Sequence, residues 1–164
     1  RRQRQMRIRD RVLLFTFLFR VVNVNGQSME DTIHNEDKVL LTNLFYEPEN
    51  GDVVVISRAQ HFEEPIIKRV IATEGQTLKI DFNTGDVYVD GVLLNEPYIK
   101  TPTTNNEGGE VPEVIPEGYV FVMGDNRGNS LDSRSEQIGL IDKRNIIGKA
   151  QYIVFPFDRI GGIG

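Results

Sequence analysis

The chain has 164 residues, 39% of them hydrophobic and 26% charged, enough for one domain with a proper core and the composition of an ordinary globular protein. It has no cysteine and only two histidines, which excludes disulfides, a thiol nucleophile and Cys-ligated zinc, argues against a His-rich metal site, and leaves the redox compartment open. The formal charge of −5 is uneven: residues 1–11 hold six Arg and one Asp, net +5, so the remainder carries −10.

That basic head runs into Val12-Leu-Leu-Phe-Thr-Phe-Leu-Phe19, the pattern of a cytoplasmic flank opening a membrane anchor. Only eight largely apolar residues separate Arg11 from Arg20, whereas a spanning helix needs roughly 20. Three readings stay open: a shortened or altered anchor, a segment lying in the membrane interface with its Arg side chains snorkelling, or an ordinary buried strand. No small-residue cleavage site follows the run, which argues against a cleavable signal peptide.

Next comes Asn25-Gly-Gln-Ser-Met-Glu-Asp-Thr32, in which Ser28 sits among turn-formers just after an extended segment. As a nucleophile Ser28 needs a base brought within hydrogen-bond reach from elsewhere; as a bland alternative it is one more turn residue. Beyond it the spacing predicts strands at 38–42, 52–57, 66–73, 77–81, 86–89, 92–94, 119–123 and 146–155. The turns between them include Asn50-Gly51, Asn83-Thr84-Gly85 and Asp90-Gly91, the last suited to a two-residue type I′ hairpin. Residues 100–118, rich in Pro and Gly and without period, read as an exposed irregular loop and a poor place for catalysis. Helix is expected only as a turn or two at 133–137 and 143–145. The class is mainly antiparallel β, folded into a partly closed barrel or sandwich with few short helices.

Two stretches break the strand pattern. In Ile66-Ile-Lys-Arg-Val-Ile-Ala72, alternation sets Lys68 on the face of Ile66, Val70 and Ala72. If that face is inward, desolvation lowers the ammonium pKa and makes Lys68 a candidate general base, whereas a strand covered on both faces would leave it snorkelling or paired with a Glu. The run Met123-Gly-Asp-Asn-Arg-Gly-Asn-Ser-Leu-Asp-Ser-Arg134 follows a strand and is dense in hydrogen-bonding groups, as a polar network would be. It fails as a calcium loop, because Arg127 falls where the third position needs an oxygen ligand.

These segments resemble the bacterial type I signal peptidases from about Phe17 to Pro156. The resemblance rests on four blocks in family order: Gly-Gln-Ser-Met-Glu-Asp-Thr-Ile at 26–33, Gly-Asp-Val-Val-Val at 51–55, Lys-Arg-Val-Ile-Ala at 68–72 with Glu-Gly following, and Gly-Asp-Asn-Arg-Gly-Asn-Ser-Leu-Asp-Ser-Arg at 124–134. It implies an enzyme that cuts signal peptides from exported preproteins with a Ser–Lys dyad. Ser28 takes the place of the nucleophile, Lys68 of the general base, and Ser130 of a serine that orients the lysine. Asp125, Arg127, Asp132 and Arg134 take the places of a structural polar network, in which Asp125 pairs with Arg69 and Asp132 with Arg134. It further implies no metal or organic cofactor, signal peptides and membrane lipid as partners, and no nucleic acid. The division it suggests is a basic head and short anchor over 1–20 and a catalytic domain over 21–164 on the outer side of the membrane.

Substrate is expected to add as a strand along Val24, Asn25, Gly26 and Gln27 on one side and Ile66 and Ile67 on the other, and the resemblance implies shallow pockets there for small side chains. Two departures stand out: Asp31 where the family has Pro, losing its fixed φ, and Gly26 where some members have a Ser that assists the oxyanion, which leaves the Ser28 N–H and an unidentified second donor. A self-cleaving repressor-type Ser–Lys protease is a related alternative, but residues 1–27 are too short for a helix-turn-helix domain. A peptide-binding relative that has lost turnover is another, opposed by the joint presence of Ser28, Lys68 and Ser130.

Overall fold

The β-branched runs form strands because their side chains can be buried on one or both faces of a pleated sheet, and the Gly- and Asn-bearing turns between them return the chain. The structure, a computed structural model, describes residues 19–164. Its strands are β1 (Phe19–Asn23), β2 (Lys38–Thr42), β3 (Val53–Ile56), β4 (Ile66–Thr73), β5 (Leu78–Asp81), β6 (Asp86–Val89), β7 (Val92–Leu93), β8 (Tyr119–Met123), β9 (Ile141–Asp142), β10 (Ile146–Phe155) and β11 (Gly161–Gly162). Their pairing is antiparallel throughout. The large sheet runs β1-β2-β10-β3-β4-β8-β9, with β11 also on β10, and β5-β6-β7 form a separate meander.

Three register shifts along β10, where it pairs with β3 and then β2, and one between β4 and β8 curl the large sheet into a half-barrel; each extra residue bends its strand and tightens the twist. This is the mainly β, partly closed architecture that the strand spacing predicts. Central β3 is buried at every residue, and its side chains divide by alternation: Val53 and Val55 join Met29, Ile33, Val39 and Leu41, while Val54 and Ile56 join Val70, Val120, Val122 and Ile138.

The structure corrects several expectations. The basic head and all but the last residue of the apolar run lie outside the described residues; Phe19 and Arg20 open β1, largely exposed. Ala72 does not share a cluster with Val70: the β4–β8 bulge between them turns Ala72 toward Ile71 and Phe121. No helix forms at 133–137, because the side chains of Asp132 and Ser135 accept from the Arg134 and Gln137 N–H groups and hold turns instead. The 100–118 segment forms no regular strand, yet Thr103 and Ile115 are fully buried, and Thr103, Asn105 and Gly109 bond to Arg127 and Arg134. Its irregular backbone is therefore packed against the 124–134 network, which sequence period alone does not reveal.

Candidate active site

Ser28 rides on a single turn whose backbone closes through Glu30 N–H to Gln27 O and Ile33 N–H to Met29 O. Met29 and Ile33, four residues apart, are both fully buried in one apolar cluster; at about 1.5–3 kcal/mol each, these two side chains nail the turn to the core. Gly26 enters it at φ +108°, a conformation that glycine adopts without penalty, and its N–H is held by Asn35 Oδ1 at 2.9 Å. The opposite wall is the 124–134 loop. Asn126 N–H donates to Ser28 O at 3.0 Å and its Nδ2 to Gln27 O at 3.1 Å, and the Thr32 hydroxyl donates to Asp125 Oδ2 at 2.5 Å. Gly124 is required here: a Cβ would fall 2.2 Å from Ser130 Oγ and 2.4 Å from Ser28 O.

Lys68 reaches this turn from β4, where it stands opposite Val54. Its Nζ lies 2.5 Å from Ser28 Oγ. The side chain is buried, and that desolvation pushes its pKa down to about 8; the carboxylates of Asp132 and Asp125 act the other way and Arg134 adds slightly to the fall. The amine therefore changes protonation near neutral pH, against an ordinary value of 10.5.

Around the pair stands a buried lattice of arginines and carboxylates. Arg69 donates through Nε and Nη2 to both oxygens of Asp125 at 2.8 and 2.7 Å, and through Nη1 to Gly51 O. Arg134 does the same to Asp132 at 2.9 Å on each arm, and Asp132 in turn accepts from the Gly124 N–H. Arg127 pairs not with either Asp but with Glu96, and its Nε donates to Gly124 O at 3.0 Å. Bidentate geometry and filled lone pairs are what make charges tolerable in such a place.

Ser130 departs from expectation: its hydroxyl is buried and has no hydrogen-bond partner among the described residues, Lys68 included. Val24 departs too. Its side chain is in the core, and its N–H and C=O are taken by Asp37 and Glu36, so it has no backbone edge to offer a substrate. Asn25, Gly26 and Gln27 are exposed. Ile66 and Ile67 are half-buried at the start of β4, where β3 pairs on one side but β8 joins only from Arg69 onward. The Ser28 N–H donates to no acceptor among the described residues. Asp31 is exposed and 3.5 Å from Lys100 Nζ, and the Glu30–Asp31 peptide is cis. The large cleft lined by Arg58, His61, Glu63, Glu110 and Glu136 includes neither Ser28 nor Lys68. Thr32, Glu96, Tyr98, Thr103 and Asn126 escape sequence reasoning. Thr32 and Asn126 sit inside the quoted blocks without a role, and nothing in the order Asn95-Glu-Pro-Tyr98 signals its partners.

A serine hydroxyl against a buried amine of lowered pKa is chemically able to lose its proton to that amine without help from a histidine. Residues 8–155 match the family described as signal peptidase, peptidase S26. Signal peptidase I of Bacillus licheniformis is 34% identical over 91% of this chain and 83% of its own. A probable signal peptidase I-1 of Synechocystis sp. is 37% identical over 93% and 80%. The crystal structure of a signal peptidase I from Enterococcus faecalis V583 is 27% identical with a TM-score of 0.53, covering 63% of this chain and 97% of that one. The chain belongs to the signal peptidase family, peptidase S26, and is a serine endopeptidase that cleaves signal peptides from preproteins.

Proposed function

We propose that Ser28 is the nucleophile and Lys68 the general base of this cleavage; the observation that carries the reading is the 2.5 Å contact between Lys68 Nζ and Ser28 Oγ in a buried setting. Neutral Lys68 takes the Ser28 proton as Oγ bonds to the scissile carbonyl carbon. When the C–N bond breaks, the ammonium returns that proton to the leaving amine. Water then attacks the acyl-enzyme with the same base, releasing Ser28. The unpaired Ser28 N–H supports one arm of an oxyanion hole. Ser130, with a buried unbonded hydroxyl beside Gly124, is proposed to accept from Lys68 once the amine is protonated. Asp125, Arg69, Asp132, Arg134 and Arg127 hold the frame and take no part in proton transfer.

Substrate is proposed to add as an extended strand between Asn25–Gln27 and the unpaired margin at Ile66 and Ile67, which supports backbone recognition with shallow pockets. Val24 is left out of this role for the reason given. A peptide with Ala at the first and third positions before the cut is expected to be cleaved, and Phe at the first position to block cleavage, as read by mass spectrometry of the products. Equal rates for both peptides would remove the strand-and-pocket reading.

The membrane is the proposed second partner, reached through residues 1–20, with the catalytic domain on the outer side. Among the described residues no helix is long and apolar enough to cross a membrane, and eight apolar residues fall short of a span. Co-sedimentation of the protein with vesicles checks this attachment, and a protein that stays wholly in the supernatant would remove it.

A further inference from the structure

The segment after β7, Asn95-Glu96-Pro97-Tyr98, grips two of the network arginines at once. Glu96 accepts from Arg127 Nη2 at 2.5 Å and Nη1 at 3.1 Å, with both side chains almost wholly buried. Two residues on, the Tyr98 ring lies 4.0 Å from the Arg69 guanidinium, and the Tyr98 hydroxyl donates to Glu96 Oε1 at 3.0 Å. The two arginines serve opposite walls of the site. Arg69 follows Lys68 in β4 and holds Asp125, which accepts the Thr32 hydroxyl of the nucleophile turn. Arg127 holds Gly124 O, while Asp132 holds the N–H of the same residue, and Gly124 lies against Ser28 O and Ser130 Oγ.

We propose that Glu96 and Tyr98 are positioning residues, a two-point clamp that fixes the Lys68 strand and the Ser28 wall at the spacing the dyad needs. This rests on the Ser–Lys reading above. Neither side chain bonds to Ser28 or Lys68, so each acts through its arginine. Without Glu96 the Arg127 charge is buried and unpaired, and the guanidinium must draw in water or leave Gly124 O. Without the ring, one face of Arg69 loses both its cover and a cation–π contact, and its hold on Asp125 loosens.

The test is steady-state cleavage of the soluble Ala-x-Ala peptide, with kcat expressed per folded molecule from circular dichroism. A positioning error of about 1 Å costs on the order of 10²-fold, so Glu96→Ala and Tyr98→Leu should lower kcat by roughly 10- to 100-fold with KM within about twofold. Glu96→Gln, which keeps shape and one acceptor, should lose roughly 3- to 10-fold, and Tyr98→Phe, which keeps the ring, should stay near wild type. If Glu96→Ala does not fold, Glu96→Gln decides for that position. The clamp is overturned if kcat per folded molecule stays within about twofold in both Glu96→Gln and Tyr98→Leu, if the loss falls on KM, or if Tyr98→Phe is as damaging as Tyr98→Leu. Ser28→Ala is run alongside: should it cleave like wild type, the dyad reading itself falls and the clamp with it.

Discussion

Lys68→Ala and Ser28→Ala are each expected to reduce cleavage to background with the fold intact, and the double variant is expected to be no worse than either. Residues that act as one unit are not additive, because removing either member already abolishes the step they share. Lys68→Arg should fail as well: a guanidinium stays protonated and cannot accept the Ser28 proton. In the unaltered protein the rate should climb with pH on an acidic limb near pH 8, where burial has placed the Lys68 pKa. The same shift makes a stability prediction. Because the folded pKa of about 8 lies below the ordinary 10.5, the unfolded chain binds the extra proton between those values and stability rises with pH there. Below pH 8 the folded chain bears the whole cost of an ammonium in a desolvated site, about 3 kcal/mol for that shift. Lys68→Met should therefore be inactive yet more stable than wild type near pH 6, with the advantage fading toward pH 10 in urea titrations. Near-normal turnover in Lys68→Ala, with loss in His34→Ala or His61→Ala, would replace the dyad with a Ser–His pair.

Asp132→Ala is expected to carry the largest stability loss, about 3–5 kcal/mol, because it strands the fully buried Arg134 without its bidentate partner. In a domain of this size that corresponds to a fall in melting temperature on the order of 6–20 °C. Two further effects come with it. The Gly124 N–H loses its acceptor beside the nucleophile turn, and the carboxylate that holds the Lys68 pKa up is gone, so the acidic limb of any residual activity should move to lower pH. Asp132→Asn separates the contributions: an amide oxygen can still accept from Gly124, while the charge on Arg134 goes unmatched. Thermal unfolding and a pH–rate profile of the two variants check this, and an Asp132→Ala protein that melts within about 2 °C of wild type would show the pair to be dispensable.

Much of the architecture was legible in the chain because strand alternation and turn chemistry are local. The runs at 38–42, 66–73, 86–89, 119–123 and 146–155 became strands at those bounds, and Asp90-Gly91 turned a hairpin between β6 and β7. Ser28 and Lys68 could be singled out for the same reason: one is a hydroxyl at a turn, the other a cation in an apolar strand. That the two belong together followed only from the family resemblance; strand alternation and turn chemistry could not give their 2.5 Å contact, since 40 positions separate them and only the curl of the sheet brings β4 to the turn after β1. Glu96, Tyr98 and Thr103 were invisible as parts of the site because a buried polar residue looks like a surface one until its partner is known. Where Arg127 pairs with Glu96 and Arg69 stacks on Tyr98, the sequence supplied the charges and the ring, and tertiary packing alone decided their partners. Burial is a property of the assembled core, and it turns each unpaired charge into a cost that only one arrangement of distant residues removes.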